Sequence, residues 1–223
     1  RVQTAAALVN RAVPTLFIMH GLSGSGKSWM SERLASRLGA VRIRSDIERK
    51  RLAGASAPML EKNGFDEGLY TPAMSHRTYA RMLECANSCL KGGFNCIVDA
   101  AFLSAANRRL FADLAERGGF HLVIVACEAD SAVLAQRIVQ RAQQHMDPSD
   151  SDRKVLAEQL RSVELLSADE RMRTVTVDTT IAQACQKAVV AIQDRLAFLS
   201  LALTAHKISV GRPVSVQSLN NPA

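Results

Sequence analysis

Apolar residues recur along this chain in two rhythms, short unbroken runs and longer stretches in which they return every three or four positions. Thr15–His20 is a short apolar run that stops at a glycine-rich segment, and Met30, Leu34 and Leu38 then follow four apart before Gly39. That order predicts strand, loop, helix. Val41–Ser45 predicts a short strand; Asp46–Leu52 is strongly charged, and Ala53–Tyr70, with Gly, Pro and Asn and no clear period, reads as a loop region. Thr71-Pro72 caps and opens a helix carrying Met74, Met82, Leu83, Ala86 and Leu90, which Gly92-Gly93 stops. Phe94–Asp99 predicts a strand, and Ser104 the cap of a helix bearing Leu110, Phe111 and Leu114. The almost wholly apolar Phe120–Ala126 predicts a central strand covered on both faces. Asp130 caps a helix through Val133, Leu134, Arg137, Ile138 and Arg141. A polar break at Met146–Asp152 and a helix with Val155, Leu156, Leu160 and Val163 then read as a mobile lid. Arg173–Asp178 predicts a last strand and Ile181–Leu199 a long helix with Cys185, Val189, Ile192 and Leu196 on one face.

Alternating strands and helices predict an α/β, three-layer fold with a parallel, roughly five-stranded sheet, right-handed crossovers, flanking helices and a helical lid. Ligands are then expected at the carboxyl ends of the strands. The organisation expected is a linker or truncated start at 1–14, one domain at 15–200 and a flexible tail at 201–223. The 223 residues suit one such domain, and 48% hydrophobic with 22% charged residues is ordinary globular composition. No apolar run approaches the ~20 residues of a membrane span, so no membrane partner is expected. Arg1–Pro14 carries no secretory core or cleavage site, and the five cysteines are odd in number and form no CxxC pair. The start reads as an internal cut, and the cysteines fit a reducing cytoplasm. A net charge of +7 suits an anionic ligand, while 4% aromatic residues leave few stacking platforms for single-stranded nucleic acid.

The strongest chemical signal is Gly21-Leu22-Ser23-Gly24-Ser25-Gly26-Lys27-Ser28, which matches GxxxxGK[ST] between a predicted strand and a predicted helix. Its glycines let backbone N–H groups turn inward around phosphates. The helix N-terminus adds a favourable dipole, Lys27 reaches the β- and γ-oxygens of ATP, and the Ser28 hydroxyl can ligate Mg²⁺. The fold expected is therefore a P-loop NTPase. The water-activating Glu of motor ATPases is missing, because the relevant strand reads Cys96-Ile97-Val98-Asp99-Ala100-Ala101. Asp99 either holds Mg²⁺ through water or caps the following loop.

Arg44-Ser45-Asp46-Ile47-Glu48-Arg49-Lys50-Arg51 puts a carboxylate at a strand end with cations three to five residues on. Asp46 can take the proton of an attacking hydroxyl, or it is a plain helix N-cap; Arg49, one turn on, and Arg44 can face an anionic acceptor. Arg137 and Arg141 share a helix face and either clamp phosphates beside the lid or line a solvated face. Arg108 and Arg109 are weaker candidates, His20 adjoins the loop, and His76, His121 and His145 carry no firm signal. Cys85 and Cys89 share a face but have no third ligand, which favours packing over a metal.

GLSGSGKS, RIRSDIERKRL, CIVDAAFL with Asn107-Arg108, and VLAQRIVQRAQQHMDPSDSD together resemble the bacterial predicted-kinase P-loop domains. These are AAA-family ATPase-like domains found C-terminal to aminoglycoside-phosphotransferase-like domains. The resemblance spans about Thr15–Thr180, extends to 5′-hydroxyl polynucleotide kinases and zeta-type toxins, and implies a kinase using ATP and Mg²⁺. It implies Asp46 as base, Asp46-x-x-Arg49 as the polynucleotide-kinase spacing, Arg137 and Arg141 as lid arginines, and Asp99 as the Mg²⁺-associated carboxylate. The implied acceptor is a small-molecule hydroxyl or a nucleic-acid 5′ end, and an upstream fused phosphotransferase-like domain is the implied partner. A nucleotide-sensing module that binds ATP and regulates a partner is the rival reading. Ala101 stands where the family commonly has Thr, and Glu128-Ala129-Asp130 where it commonly has Pro. The adenylate-kinase GKGT pattern is absent, which argues against a nucleoside monophosphate acceptor.

Overall fold

A computed structural model describes residues 13–54, 71–144 and 150–210, with side chains described outside 141–155 and 201–210. The expected loop region at 53–70 therefore lies almost entirely outside the described residues, as do His145 and the Arg141 side chain. The strands are β1 (Thr15–His20), β2 (Ala40–Arg44), β3 (Asn95–Asp99), β4 (His121–Glu128) and β5 (Thr174–Asp178). The described helices are α1 (Lys27–Leu38), α2 (Ser45–Leu52), α3 (Pro72–Lys91), α4 (Ala105–Gly118), α5 (Ser131–Gln144), α6 (Asp150–Ser162), α7 (Ala168–Met172) and α8 (Ala184–Val210).

All pairings are parallel, in the order β2-β3-β1-β4-β5. β1 is central, with β3 on one side and β4 on the other, so the chain leaves toward one edge after β1 and reaches the other edge from β3 onward. Such a reversal opens a crevice at the carboxyl end of the sheet. The phosphate-loop sequence begins there.

Residues alternate across the sheet with period two and build one core on each face. Leu16, Ile18, Cys96, Val98, Leu122 and Ile124 pack with Met82, Ala86 and Leu90 of α3 and Phe111 and Leu114 of α4. Phe17, Met19, Ile97, Val123, Val125, Val175 and Val177 pack with Met30 and Leu34 of α1 and Ala184, Cys185, Ala188 and Ile192 of α8. Removing both faces of β1 and β4 from water explains why these strands read as unbroken apolar runs. Cys85 and Cys89 lie against the α3–α4 cluster.

Two expectations change in detail. α8 runs to Val210 rather than ending near Leu199, because Leu201-Ala202-Leu203 continues with helix formers and no Gly or Pro interrupts before Gly211. Ser104 occupies the N-cap of α4, but its side chain makes no capping bond; the Glu164 carboxylate accepts from the Ala105 N–H instead. Thr71 caps α3 as expected, accepting from the Met74 N–H at 3.2 Å. No described helix is long and apolar enough to cross a membrane.

Candidate functional site

The turn after β1 needs glycine at particular positions. Gly21 has φ +141°, and a Cβ there would lie 2.5 Å from the Cys127 carbonyl oxygen. Gly26, at φ +83°, is the left-handed N-cap of α1, where a side chain would press on Thr179. These conformations are cheap only without a Cβ. The Leu22 carbonyl accepts from the Ser25 N–H at 3.1 Å and from Lys27 Nζ at 2.7 Å. The ammonium is thus folded over the loop that it is expected to help bind phosphate.

Residues from four further elements hold the loop. Arg137 of α5 donates to the Gly24 carbonyl at 3.2 Å, to Thr179 Oγ1 at 2.9 Å and to the Thr179 carbonyl at 3.0 Å. The Thr179 hydroxyl, just past β5, donates to the Ser25 carbonyl at 2.9 Å. From α6, Gln159 Oε1 accepts from the Ser23 N–H at 2.8 Å. The Gly21 N–H donates to the Ala101 carbonyl beyond β3 at 3.3 Å. Sequence reasoning found Arg137 but not Thr179 or Gln159, whose partners lie more than a hundred residues away in sequence.

Asp99, 5% exposed at the end of β3, lies beside the start of α1. Its Oδ1 accepts from Ser28 Oγ at 3.5 Å, and its Oδ2 from Ser31 Oγ at 3.0 Å and from Arg42 Nη2 at 2.6 Å. The two residues expected to serve Mg²⁺, Ser28 and Asp99, therefore stand together. Arg42 and Ser31 were not singled out from sequence. The signal available was Arg42 and Arg44 two apart in a strand, hence on one face; the register that sets Arg42 beside Ile97 and Arg44 beside Asp99 appears only in the sheet.

Asp46 is not the N-cap of α2. That position is Arg44, and Asp46 lies inside the first turn, where its charge suits the helix dipole. Its side chain is 51% exposed and accepts from Arg44 Nη2 at 2.6 Å. Two residues expected at the acceptor site thus satisfy each other. Farther along α2, buried Glu48 pairs with Arg51 at 2.5 Å and lies 3.7 Å from Arg81 of α3. Arg49 is half-buried on the same helix.

The segment after Asp99 is held tightly. Phe102 has φ +47°, a left-handed conformation that costs energy without glycine. Its ring makes edge contacts with Tyr79 and Phe111. Its N–H donates to Tyr79 Oη at 3.3 Å, and its carbonyl accepts from His20 Nδ1 at 3.0 Å and Arg108 Nη1 at 3.1 Å. Burial lowers the His20 pKa; the carbonyl bond opposes this, and the charges of Arg108 and Lys27 add to it. The surroundings of His20 therefore favour the neutral form of its imidazole.

Arg108 is 1% exposed. It donates to the Phe102, Leu103 and Leu165 carbonyls and to both oxygens of Glu170, with Nε–Oε1 at 2.6 Å. It ties 163–170 to the loop after β3 rather than facing a ligand. Arg109 forms a surface pair with Asp113.

The comparisons fit this geometry. An uncharacterized protein of Mycobacterium tuberculosis is 33% identical over 140 residues, covering 60% of this chain and 27% of that protein. A shikimate kinase of Ruegeria pomeroyi is 35% identical over 122 residues, covering 54% of this chain and 55% of the enzyme. The chain thus spans about a quarter of the length of the mycobacterial relative and about half that of the kinase. In fold it is similar to the crystal structure of a gluconokinase from Sinorhizobium meliloti, with a TM-score of 0.58, 24% identity and coverage of 88% of this chain and 99% of that one. Residues 16–166, well over half of the sequence, match the family model described as an AAA domain, and the chain belongs to that family.

Proposed function

We propose that the domain is an ATP-dependent kinase that moves the γ-phosphoryl group of ATP to a hydroxyl of a small-molecule acceptor. One observation carries this reading: a preformed phosphate loop leaves the central strand, no Glu follows Asp99 to activate water, and an exposed carboxylate, Asp46, opens the helix after β2. The relatives named as shikimate kinase and gluconokinase support a small hydroxyl acceptor.

In this mechanism the loop N–H groups and Lys27 Nζ, released from the Leu22 carbonyl, hold the β- and γ-phosphates. The Ser25 hydroxyl is buried without a hydrogen-bond partner among the described residues, as expected of a loop whose hydrogen bonding a ligand completes. Ser28 and Asp99 fit a divalent cation: one hydroxyl and one buried carboxylate, hard oxygens of the kind Mg²⁺ takes. Magnesium there supplies positive charge against the phosphate oxygens. Asp46 accepts the proton of the attacking hydroxyl once Arg44 turns from it to the acceptor, and Arg49 orients the acceptor from the next turn. Arg137 braces Gly24 and adds charge beside the phosphates, with Arg141 as its companion one turn along α5. α6, resting on Ser23 through Gln159, is the lid that excludes water.

The reading extends to a cytoplasmic setting, which the five free thiols suit. It extends also to an upstream phosphotransferase-like domain as partner, for which the length of the mycobacterial relative leaves room. The test is transfer from γ-labelled ATP into small hydroxy acids, neutral sugars, aminoglycosides and DNA or RNA 5′ ends. Label in a small hydroxy compound supports the proposal. Label in nucleic-acid ends alone, lost steeply with salt, replaces the acceptor. Tight ATP binding with label only as slow free phosphate favours a nucleotide sensor.

A further inference from the structure

The two oxygens of Asp99 have unequal surroundings. Oδ2 takes a guanidinium at 2.6 Å and the Ser31 hydroxyl at 3.0 Å, while Oδ1 lies 3.5 Å from the Ser28 hydroxyl. The Arg42 nitrogen that bonds Oδ2 also donates to the Ser28 carbonyl at 3.0 Å. One guanidinium therefore fixes both the end of β3 and the first turn of α1. Ser31 is fully buried, and the Arg42 side chain is 17% exposed.

A carboxylate turns readily about its last side-chain bond, a broad sp³–sp² torsion. A buried carboxylate also needs compensation for its charge. Arg42 supplies that charge before any cation arrives, and with Ser31 it removes the rotation. Both contacts come from the one nitrogen Nη2, so the ammonium of a lysine, a compact point charge on a flexible stem, replaces them only in part.

We propose that Arg42 and Ser31 are positioning residues for the divalent cation, occupying Asp99 Oδ2 so that Oδ1 and the Ser28 hydroxyl present one fixed edge to it. The proposal rests on the phosphate-loop reading above and deepens it. It opposes a purely electrostatic view, in which a cation 2.6 Å from Asp99 repels Mg²⁺ and its removal tightens metal binding. Partners that orient metal ligands typically contribute about 10–100-fold to metal affinity. Positioning therefore predicts the opposite sign.

The experiment uses the full chain and Trp29, its single tryptophan, which adjoins Ser28. ADP is titrated with and without Mg²⁺ while Trp29 fluorescence is followed, with calorimetry as a second reading. In Arg42→Gln, the gain in ADP affinity brought by Mg²⁺, counted against the metal-free ADP affinity of the same variant, falls by about tenfold or more. Arg42→Lys recovers part of the gain. Ser31→Ala moves the same way by a smaller factor and carries the test should Arg42→Gln fail to fold. An unchanged or larger Mg²⁺ gain in the folded variants overturns the proposal alone. A wild-type chain that binds no nucleotide overturns the phosphate-loop reading and this proposal with it.

Discussion

The carboxyl ends of β1 and β2 lie at the same end of the parallel sheet but are built differently. At β1 the loop is shaped by glycine backbone, held by Arg137, Thr179 and Gln159, and set beside a buried carboxylate whose Oδ2 is doubly bonded. At β2 the corresponding carboxylate is half-exposed and paired with its neighbour Arg44. The phosphate donor is common to many proteins and its half is fixed in advance. The half proposed to take the acceptor carries partly exposed side chains, whose ion pairs are individually weak, about 0–1 kcal/mol, and easily exchanged for a ligand.

Breaking the rigid half has the largest expected effect. Arg108→Ala removes a buried guanidinium and leaves the partly exposed Glu170 carboxylate and the Leu165 carbonyl without it, while the Phe102 and Leu103 carbonyls keep His20 and the Glu164 N–H; the loss is about 3 kcal/mol, read as a melting temperature lower by roughly 10 °C for a domain of this size. A small change would show that Arg108 does not frame the site. Lys27→Ala costs about 10²–10³-fold in transfer rate, as removal of one preorganised donor to developing charge typically does, with little effect on melting. Equal losses of stability and activity would deny Lys27 a place at the phosphates.

Glu170 gives a smaller, pH-dependent effect. Burial opposes its ionisation, but hydrogen bonds from Arg108 and Ser167 and the Arg108 charge carry its pKa below the ordinary carboxylate value. A depressed folded pKa means stability that is complete above that ordinary value and lost as pH falls through the lowered one. Melting of wild type should therefore fall faster than that of Glu170→Gln between about pH 5 and about pH 3; parallel curves would remove Glu170 from the frame. The smallest effect is expected at the lid. Gln159 competes with a ligand for the Ser23 N–H, so Gln159→Ala should tighten ATP by a few-fold, the worth of about one hydrogen bond of ~1 kcal/mol. Weaker binding would instead make Gln159 part of the bound state.

What could be read from sequence follows the same division. The phosphate loop was legible because a turn of positive-φ glycines admits few residues, and β1 and β4 because burial on both faces removes polar residues from them. Asp99 was legible as the carboxylate at a strand end. Arg42 was not, since its partner lies 57 positions away and only strand order joins them. Arg108 reads from sequence like any basic helix residue, and only the return of 163–170 across the loop after β3 makes it a buried tie. Asp46 was singled out from sequence, but its N-cap alternative fails because α2 starts at Ser45 with Arg44 as its N-cap.

In the proposed mechanism Asp46 accepts the acceptor's proton and takes no part in holding ATP. The most direct test compares Asp46→Asn with wild type for both phosphoryl transfer, using the acceptor found in the panel, and ATP affinity. Transfer is expected to be lower by about 10²–10⁴-fold, the usual worth of a general base, with ATP affinity nearly unchanged. Transfer that survives in Asp46→Asn, or falls only in step with ATP affinity, would contradict it.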